Sequence, residues 1–509
     1  MCSSSMRGNS AAPMTHSPAR PTSFAMTAET HVEVAILGAG MSGLCMAIQL
    51  QQAGITDFLL IEKSSGIGGT WWDNRYPGAQ VDVPAPAYSF SFAPNPDWTH
   101  RFADAPEIQR YQQQLAERHG LAARTRLGVA VAEARFDAGQ GRWHLLLDNG
   151  DRLSARFFAC STGVLNTARW PDIAGLQDFQ GRLLHSARWP ADVDLSGLRV
   201  GVIGTGSTAA QLVPAIAPRV ARLSVFQRTP NWVLPRMDRR YGRLDRWLLK
   251  LPGYAPLVRR WWVQVMEWGR RGFDEGTLAR RLMLAAANAH RRRSLPDARL
   301  REQLAPPYPL GCKRIIYSND YYPALARPQT ALVTDGIHRI TAAGVLTEDG
   351  REHALDVLIC ATGYDTVRPL SNVRIEGLDG RLLSEAWAEG AQAYLGIAVA
   401  GFPNFFLMLG PNTATGHTST LLYIEPQVRH AIACMQRVTR EGRRWIAVKP
   451  DVARVHDLAQ QQRLSASVWS RCKSWYRAEN GRIVAIWPGY TGEYVRTVRQ
   501  PEPAAYELG

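Results

Sequence analysis

Apolar residues along this chain fall into short unbroken runs, each stopped by a small-residue turn and followed by a stretch with helical spacing. Residues 31–37 (HVEVAIL) form the first run and end at Gly38-Ala-Gly40-Met-Ser-Gly43. Leu44, Ala47 and Ile48 then recur on one helical face until Gly54. Such a run predicts a buried strand, and the 3.6-residue period predicts a helix. A second run, Phe58–Ile61, is the next strand. Residues 106–119 read as a helix, and two strands near 127–137 and 142–148 flank a Gly-Gln-Gly turn at 139–141. Phe157–Cys160 is a buried run closed by Ser161-Thr162-Gly163, and a near copy, Val357-Leu-Ile-Cys360-Ala-Thr362-Gly363, returns 200 residues later. Arg199–Ile203, a Gly204-Thr205-Gly206-Ser207-Thr208-Ala209 turn, a helix through Val213 and a strand at Leu223–Phe226 repeat the opening pattern.

Alternation of strand and helix implies an α/β fold with parallel sheets. The doubled pattern implies two Rossmann-like dinucleotide-binding domains. Between about Arg236 and Leu304 the period becomes helical throughout, which marks a helical insertion. The repeated Thr-Gly turns are natural points for the chain to leave one domain and re-enter it. The expected organisation is a disordered tail at 1–30, a first domain at 31–165, a second at 166–355 carrying the insertion at 236–304, and a return to the first domain with a pocket-lining C-terminal region at 356–509. The tail lacks an apolar signal-peptide core, and methionines at 1, 6, 14 and 26 make Met26 the expected start. Residues 391–424 contain no Lys, Arg, Asp or Glu, but Pro403 and Pro411 with several glycines break any spanning helix, so buried strands and turns are expected.

The two glycine loops part ways at the end of the next strand. In such a loop the first glycine makes the turn, the second lets backbone approach a pyrophosphate, and the third lets helix and strand pack closely. The helix N-terminus supplies N–H groups and a partial positive charge to the phosphates. The first loop, Gly38, Gly40 and Gly43, is followed about twenty residues on by Glu62. A carboxylate there accepts from both ribose hydroxyls and repels a 2′-phosphate, so this site should hold FAD or NAD. The second loop, Gly204, Gly206, Ser207 and Thr208, is followed by Gln227-Arg228 with no acid. A guanidinium suits a 2′-phosphate, so this site should hold NADPH.

Other stretches are richer in chemistry than turns require. Gly68-Gly69-Thr70-Trp71-Trp72-Asp73-Asn74-Arg75-Tyr76-Pro77-Gly78, followed by Asp82, reads as backbone wrapped beside a flavin. Lys313-Arg314 places two cations in an apolar neighbourhood and calls for anions nearby. Asn412 and His417 lie on a polar, Gly-flanked loop that leads into a helix; a histidine at such a place is more often a structural donor than a catalyst. Trp475, Tyr476 and Tyr490 are suited to lining a pocket.

Composition narrows the classes. The chain has 509 residues, 46% hydrophobic content and a formal charge of +15. It holds five lysines against 54 arginines, dispersed among 44 acids. Dispersal argues against a nucleic-acid partner, although the basic, Trp-rich insertion keeps a peripheral membrane contact open. Seven scattered cysteines with no C-x-x-C pair imply reduced thiols in a cytoplasmic setting and no metal cluster or redox disulfide.

Between the two loops lies Phe179-Gln-Gly181-Arg-Leu-Leu-His185-Ser-Ala-Arg-Trp189-Pro190. This F-x-G-x-x-x-H-x-x-x-W-P connector, with Gly69-Thr70-Trp71, Arg75-Tyr76-Pro77-Gly78 and Ala361-Thr-Gly-Tyr-Asp365, resembles the type I Baeyer–Villiger monooxygenases over roughly residues 31–500. Residues 410–427 and Trp475–Tyr490 look most like the hydroxyacetophenone and aliphatic-ketone branch. The resemblance implies an enzyme that uses FAD, NADPH and O₂ to convert a ketone to an ester or lactone through a flavin C4a-peroxide. It also implies that Arg314 is the active-site arginine, that Asp82 positions it, that Lys313 and Arg228 grip the 2′-phosphate, and that His185 belongs to a linker coupling domain motions. Flavin-dependent N- or S-oxygenation is the alternative. A monomer or homodimer is expected.

Overall fold

A computed structural model of the chain describes residues 29–366 and 370–509. The expected tail up to residue 28, and the expected start at Met26, lie outside the described residues. The first sheet has eight strands, ordered Arg374–Glu376, Val131–Asp137, Arg142–Leu147, Arg152–Cys160, Thr30–Leu37, Phe58–Glu62 and Thr125–Leu127, with Phe405–Leu407 also pairing with Arg152–Cys160. Thr30–Leu37 is central and parallel to both neighbours. Its Val34, Ala35 and Ile36 are wholly buried, as expected of a strand covered on both faces.

The helix Met41–Gln52 packs on this sheet because the turn before it is so tight. Gly38 has φ +100°, and a Cβ on Gly43 would stand 1.9 Å from the Gly38 carbonyl oxygen. Only hydrogen fits between that helix and that strand.

The second sheet is parallel throughout, ordered Thr330–Val333, Arg222–Phe226, Arg199–Ile203, Val357–Cys360 and Arg182–His185. The connector fingerprint is therefore built into a sheet: its residues 182–185 are the edge strand, hydrogen-bonded in register to 357–360. The chain returns to the first sheet only after Gly363, at Arg374–Glu376. Phe179 joins the apolar cluster of Ile203 and Leu358, and Trp189 joins one containing Tyr76, Ala79 and Ala209. That second cluster holds side chains from both halves of the molecule.

The insertion is helical as expected, with Arg243–Lys250, Tyr254–Arg270, Leu278–Ser294 and Ala298–Gln303. Residues 391–424 contain the strand Phe405–Leu407 and turns, but the last four already belong to the helix Leu421–Arg440. One expectation is overturned. Cys312 and Cys472, separated by 160 positions, form a disulfide, whereas Cys45, Cys160, Cys360 and Cys434 are buried free thiols. Spacing reveals only local pairs, and these two cysteines meet through the fold. Among the described residues no helix is long and apolar enough to cross a membrane.

Replacing Gly43 with Ala is expected to lower unfolding stability by about 1–3 kcal/mol through overpacking, measured as a lower urea midpoint at unchanged slope.

Candidate active site

Glu62 ends its strand almost fully buried, accepting hydrogen bonds from the N–H groups of Ala39 at 2.8 Å and Ser64 at 2.9 Å. The carboxylate thus stands beside the first glycine loop, where the helix Met41–Gln52 opens its free N–H groups. Gly69, at φ +54°, lies so close that a Cβ on it would be 2.9 Å from the Gly40 Cα. The Thr70-Trp71 segment is thereby laid along the loop, and the Trp71 indole donates to the Tyr88 hydroxyl at 3.0 Å. Arg75 points outward, donating to the Trp72 carbonyl at 2.8 Å and stacking on the Trp72 ring at 4.4 Å. Tyr76 turns to the other half: its hydroxyl donates to Gln211 Oε1 at 2.8 Å, on the helix Ser207–Ile216.

That helix begins directly after Gly206, and Thr208 lies on its first turn. Lys313 sits over the Tyr308 ring at 4.8 Å. Burial, and then the charge of Arg228, hold its ammonium below the usual lysine range. Two cations close enough to repel each other suit an anion between them. The glycine cradle, the buried carboxylate after one loop and the paired cations after the other are the donor set that FAD and NADPH require.

Asp82 and Arg314, 232 positions apart, meet as a bidentate pair. Arg314 Nε donates to Asp82 Oδ2 at 2.6 Å and Nη2 to Oδ1 at 2.7 Å, while Nη1 donates to the Thr415 carbonyl at 2.9 Å. Each side chain is about a quarter exposed. Burial alone would raise the Asp82 carboxyl, but the charge and hydrogen bonds of Arg314 outweigh it and hold the carboxyl below its ordinary range. Burial opposes the charge on Arg314 as well, and Asp82 overrides it, keeping the guanidinium firmly protonated. Tyr476 lies within electrostatic reach of the pair; its buried hydroxyl has no hydrogen-bond partner among the described residues, and burial pushes it up to about 12. An apolar cleft of about 50 Å³, partly open to solvent, adjoins this loop and is lined by Thr162, Leu409, Pro411, Ala414, Thr420 and Val484.

Asn412, at φ +57°, is buried and donates to the carbonyls of Ile483 at 2.9 Å and Ile486 at 3.2 Å. Its amide thus ties the loop to the C-terminal segment. His417 Nε2 donates to Glu267 Oε1 at 2.9 Å, and Glu267 also accepts from the N–H groups of Thr491 at 3.0 Å and Gly492 at 3.2 Å. Sequence reasoning passed over Glu267, because an acid inside a basic helical stretch reads as surface charge. It is the knot joining the insertion, the loop bearing Thr415 and the C-terminal segment. In the connector, His185 Nε2 lies 3.3 Å from the Arg169 carbonyl and 3.4 Å from the Thr362 hydroxyl, while Nδ1 accepts from the Ala187 N–H. It therefore touches the second Thr-Gly crossing and not the Asp82–Arg314 pair.

Residues 36–105 match a family model described as an NAD(P)-binding Rossmann-like domain. A Baeyer–Villiger monooxygenase of Pseudomonas aeruginosa is 40% identical, with 94% of this chain and 92% of that protein covered. A Baeyer–Villiger monooxygenase of Streptomyces coelicolor is 38% identical, covering 94% and 93%. The chain belongs to the Baeyer–Villiger monooxygenase family. Among solved structures, an oxidized steroid monooxygenase bound to NADP superimposes with a TM-score of 0.83 at 30% identity, covering 94% of this chain and 99% of that one. A closed cyclohexanone monooxygenase superimposes with a TM-score of 0.84 at 27% identity, covering 95% and 100%. This monooxygenase thus carries the two-dinucleotide architecture expected from its glycine loops.

Burial raises the Glu267 carboxyl, but hydrogen bonds from His417, the Thr491 side chain and the Gly492 N–H outweigh it and lower it to about 2. A carboxylate depressed in the folded state stabilises above its unfolded value and loses that contribution as pH falls through the folded one. Stability is expected to decline from about pH 4.5 towards pH 2, by up to about 3 kcal/mol. Glu267→Gln should flatten this limb in thermal melts taken across that range.

Proposed function

We propose that this flavoprotein inserts one atom of O₂ beside the carbonyl of a small ketone, with Arg314 and Asp82 as the reacting centre. The balance is ketone, O₂, NADPH and a proton giving ester or lactone, NADP⁺ and water. The bidentate pair carries the reading. A guanidinium has five N–H groups, and Asp82 and Thr415 account for three. The remaining two are fixed in direction, since the other three donors cannot rotate away.

Bound FAD, reduced by NADPH, supplies the activation of oxygen. Glu62 accepts from the ribose hydroxyls of FAD, and the N-terminus of the helix Met41–Gln52 takes its pyrophosphate. Lys313 and Arg228 grip the 2′-phosphate of NADPH, whose pyrophosphate meets Gly204, Gly206, Ser207 and Thr208. Arg314 aims its two remaining N–H groups at the carbonyl oxygen and balances the negative charge that grows there during insertion, a role worth about 3 kcal/mol. Asp82 acts through Arg314, holding the guanidinium charged and aligned. Trp71 and Asn412 belong with the residues that hold the cofactors, and Tyr476, buried within reach of the pair, borders the space for the ketone.

Purified enzyme given NADPH and a panel of aliphatic, cyclic and aryl ketones should yield esters or lactones by gas chromatography. Arg314→Ala should cut that turnover by about 10²–10³-fold while leaving the bleaching of flavin absorbance by NADPH in place. Sulfoxide from a thioether control with no ester from any ketone would replace this reading with S-oxygenation, and ester formation that survives Arg314→Ala would remove Arg314 from the centre. Lys313→Ala should raise the KM for NADPH about tenfold or more, as loss of a charge-assisted contact predicts, with little change for NADH.

A further inference from the structure

The helical insertion concentrates the charge of the molecule. Residues 236–304 hold 17 Arg or Lys against seven Asp or Glu, which is +10 of the chain's +15. Five of those acids are engaged: Asp238 by Arg236, Asp245 by Arg239, Glu267 by His417, Asp274 by Arg270 and Glu275 by Arg471. Arg240, Arg243, Arg246 and Arg260 have no carboxylate partner among the described residues, and of these Arg240, Arg243 and Arg260 are exposed.

The helix Tyr254–Arg270 has two apolar stripes where packing needs one. Ala255 and Trp262 are buried, and Val263 and Met266 pack on the first core. A separate stripe at Tyr254, Leu257, Trp261 and Trp268 follows spacings of three, four and seven, so these side chains share one face. Leu257 is 64% exposed, Trp261 57% and Trp268 49%. The shorter helix Arg243–Lys250 adds Leu244 at 68% and Trp247 at 57%, in line with Leu251 just beyond it. A shallow depression lined by Arg239, Leu249, Tyr254, Leu257 and Trp261 joins the two helices into one surface.

We propose that this surface docks the enzyme on an anionic lipid bilayer. Exposed Trp and Leu ringed by unpaired Arg is the composition of a helix lying in the membrane interface, where indole and leucine enter the headgroup boundary and cations meet lipid phosphates. A second copy of the chain fits less well, because a twofold contact would set the same basic face against itself. The contact is parallel to the surface, since no helix among the described residues can span it.

Full-length, FAD-loaded enzyme should float with vesicles of phosphatidylcholine and phosphatidylglycerol at low salt, and not with phosphatidylcholine alone. Arg240→Gln with Arg243→Gln should weaken partitioning roughly 30-fold. Leu257→Ser with Trp261→Ser should abolish flotation, while NADPH oxidation and the flavin spectrum of both variants stay unchanged and report an intact fold. Equal binding to both vesicle types, or flotation indifferent to both variants, would overturn the proposal. So would a dimer in light scattering that Leu257→Ser with Trp261→Ser dissociates, which would assign the face to a second copy.

Discussion

One carboxylate gripping one guanidinium from two sides is the constraint on which the rest of this enzyme depends. Asp82 comes from the first dinucleotide half, Arg314 lies just after the helical insertion of the second, and the Thr415 carbonyl arrives on a third segment. Burying either charge alone would be strongly unfavourable, so each segment is stable in its place only because the others are there. The apolar cluster around Trp189 and Tyr76, and the Tyr76–Gln211 hydrogen bond, keep the two halves at the distance this pair needs. Packing sets the separation, and the ion pair converts it into a direction for the remaining N–H groups.

Much of this was legible in the sequence because the relevant physics is local. A strand, a glycine turn and a helix occupy one short stretch, and whether an acid or an arginine comes next is read directly from Glu62 and Arg228. The connector, the Arg75-Tyr76 segment and Lys313-Arg314 were visible for the same reason. The hidden features involve partners far apart in the chain. Glu267 and His417 are 150 positions apart, and Cys312 and Cys472 are 160 apart. Neither pair leaves a trace in spacing. The role of residues 182–185 as an edge strand was equally invisible, because its register is set by 357–360, nearly two hundred residues later.

Arginine takes unlike roles in different parts of the chain, which explains why its abundance misleads as a bulk property. Arg142 donates to the Val32 carbonyl and to Ser154, bracing the central strands. Arg259 pairs with the buried Glu425, and Arg270 reaches the Pro488 carbonyl while lying over Trp469. The insertion itself holds both kinds: Arg259 and Arg270 are paired, whereas Arg240, Arg243, Arg246 and Arg260 have no carboxylate partner among the described residues. Net charge is thus what is left after internal bracing, and two thirds of it falls within residues 236–304.

The Cys312–Cys472 bond adds a topological consequence. It closes a covalent ring that begins one residue before Lys313 and encloses the strand at 357–360, the Asn412 loop and the long helix at 421–440. A single cut by a protease anywhere inside that ring would leave the two pieces tethered, so nicking would not shed the C-terminal region. Just outside the ring, Tyr476, four residues after Cys472, is leashed to the segment bearing Arg314, two residues after Cys312. The bond thus limits how far those two segments can separate from each other.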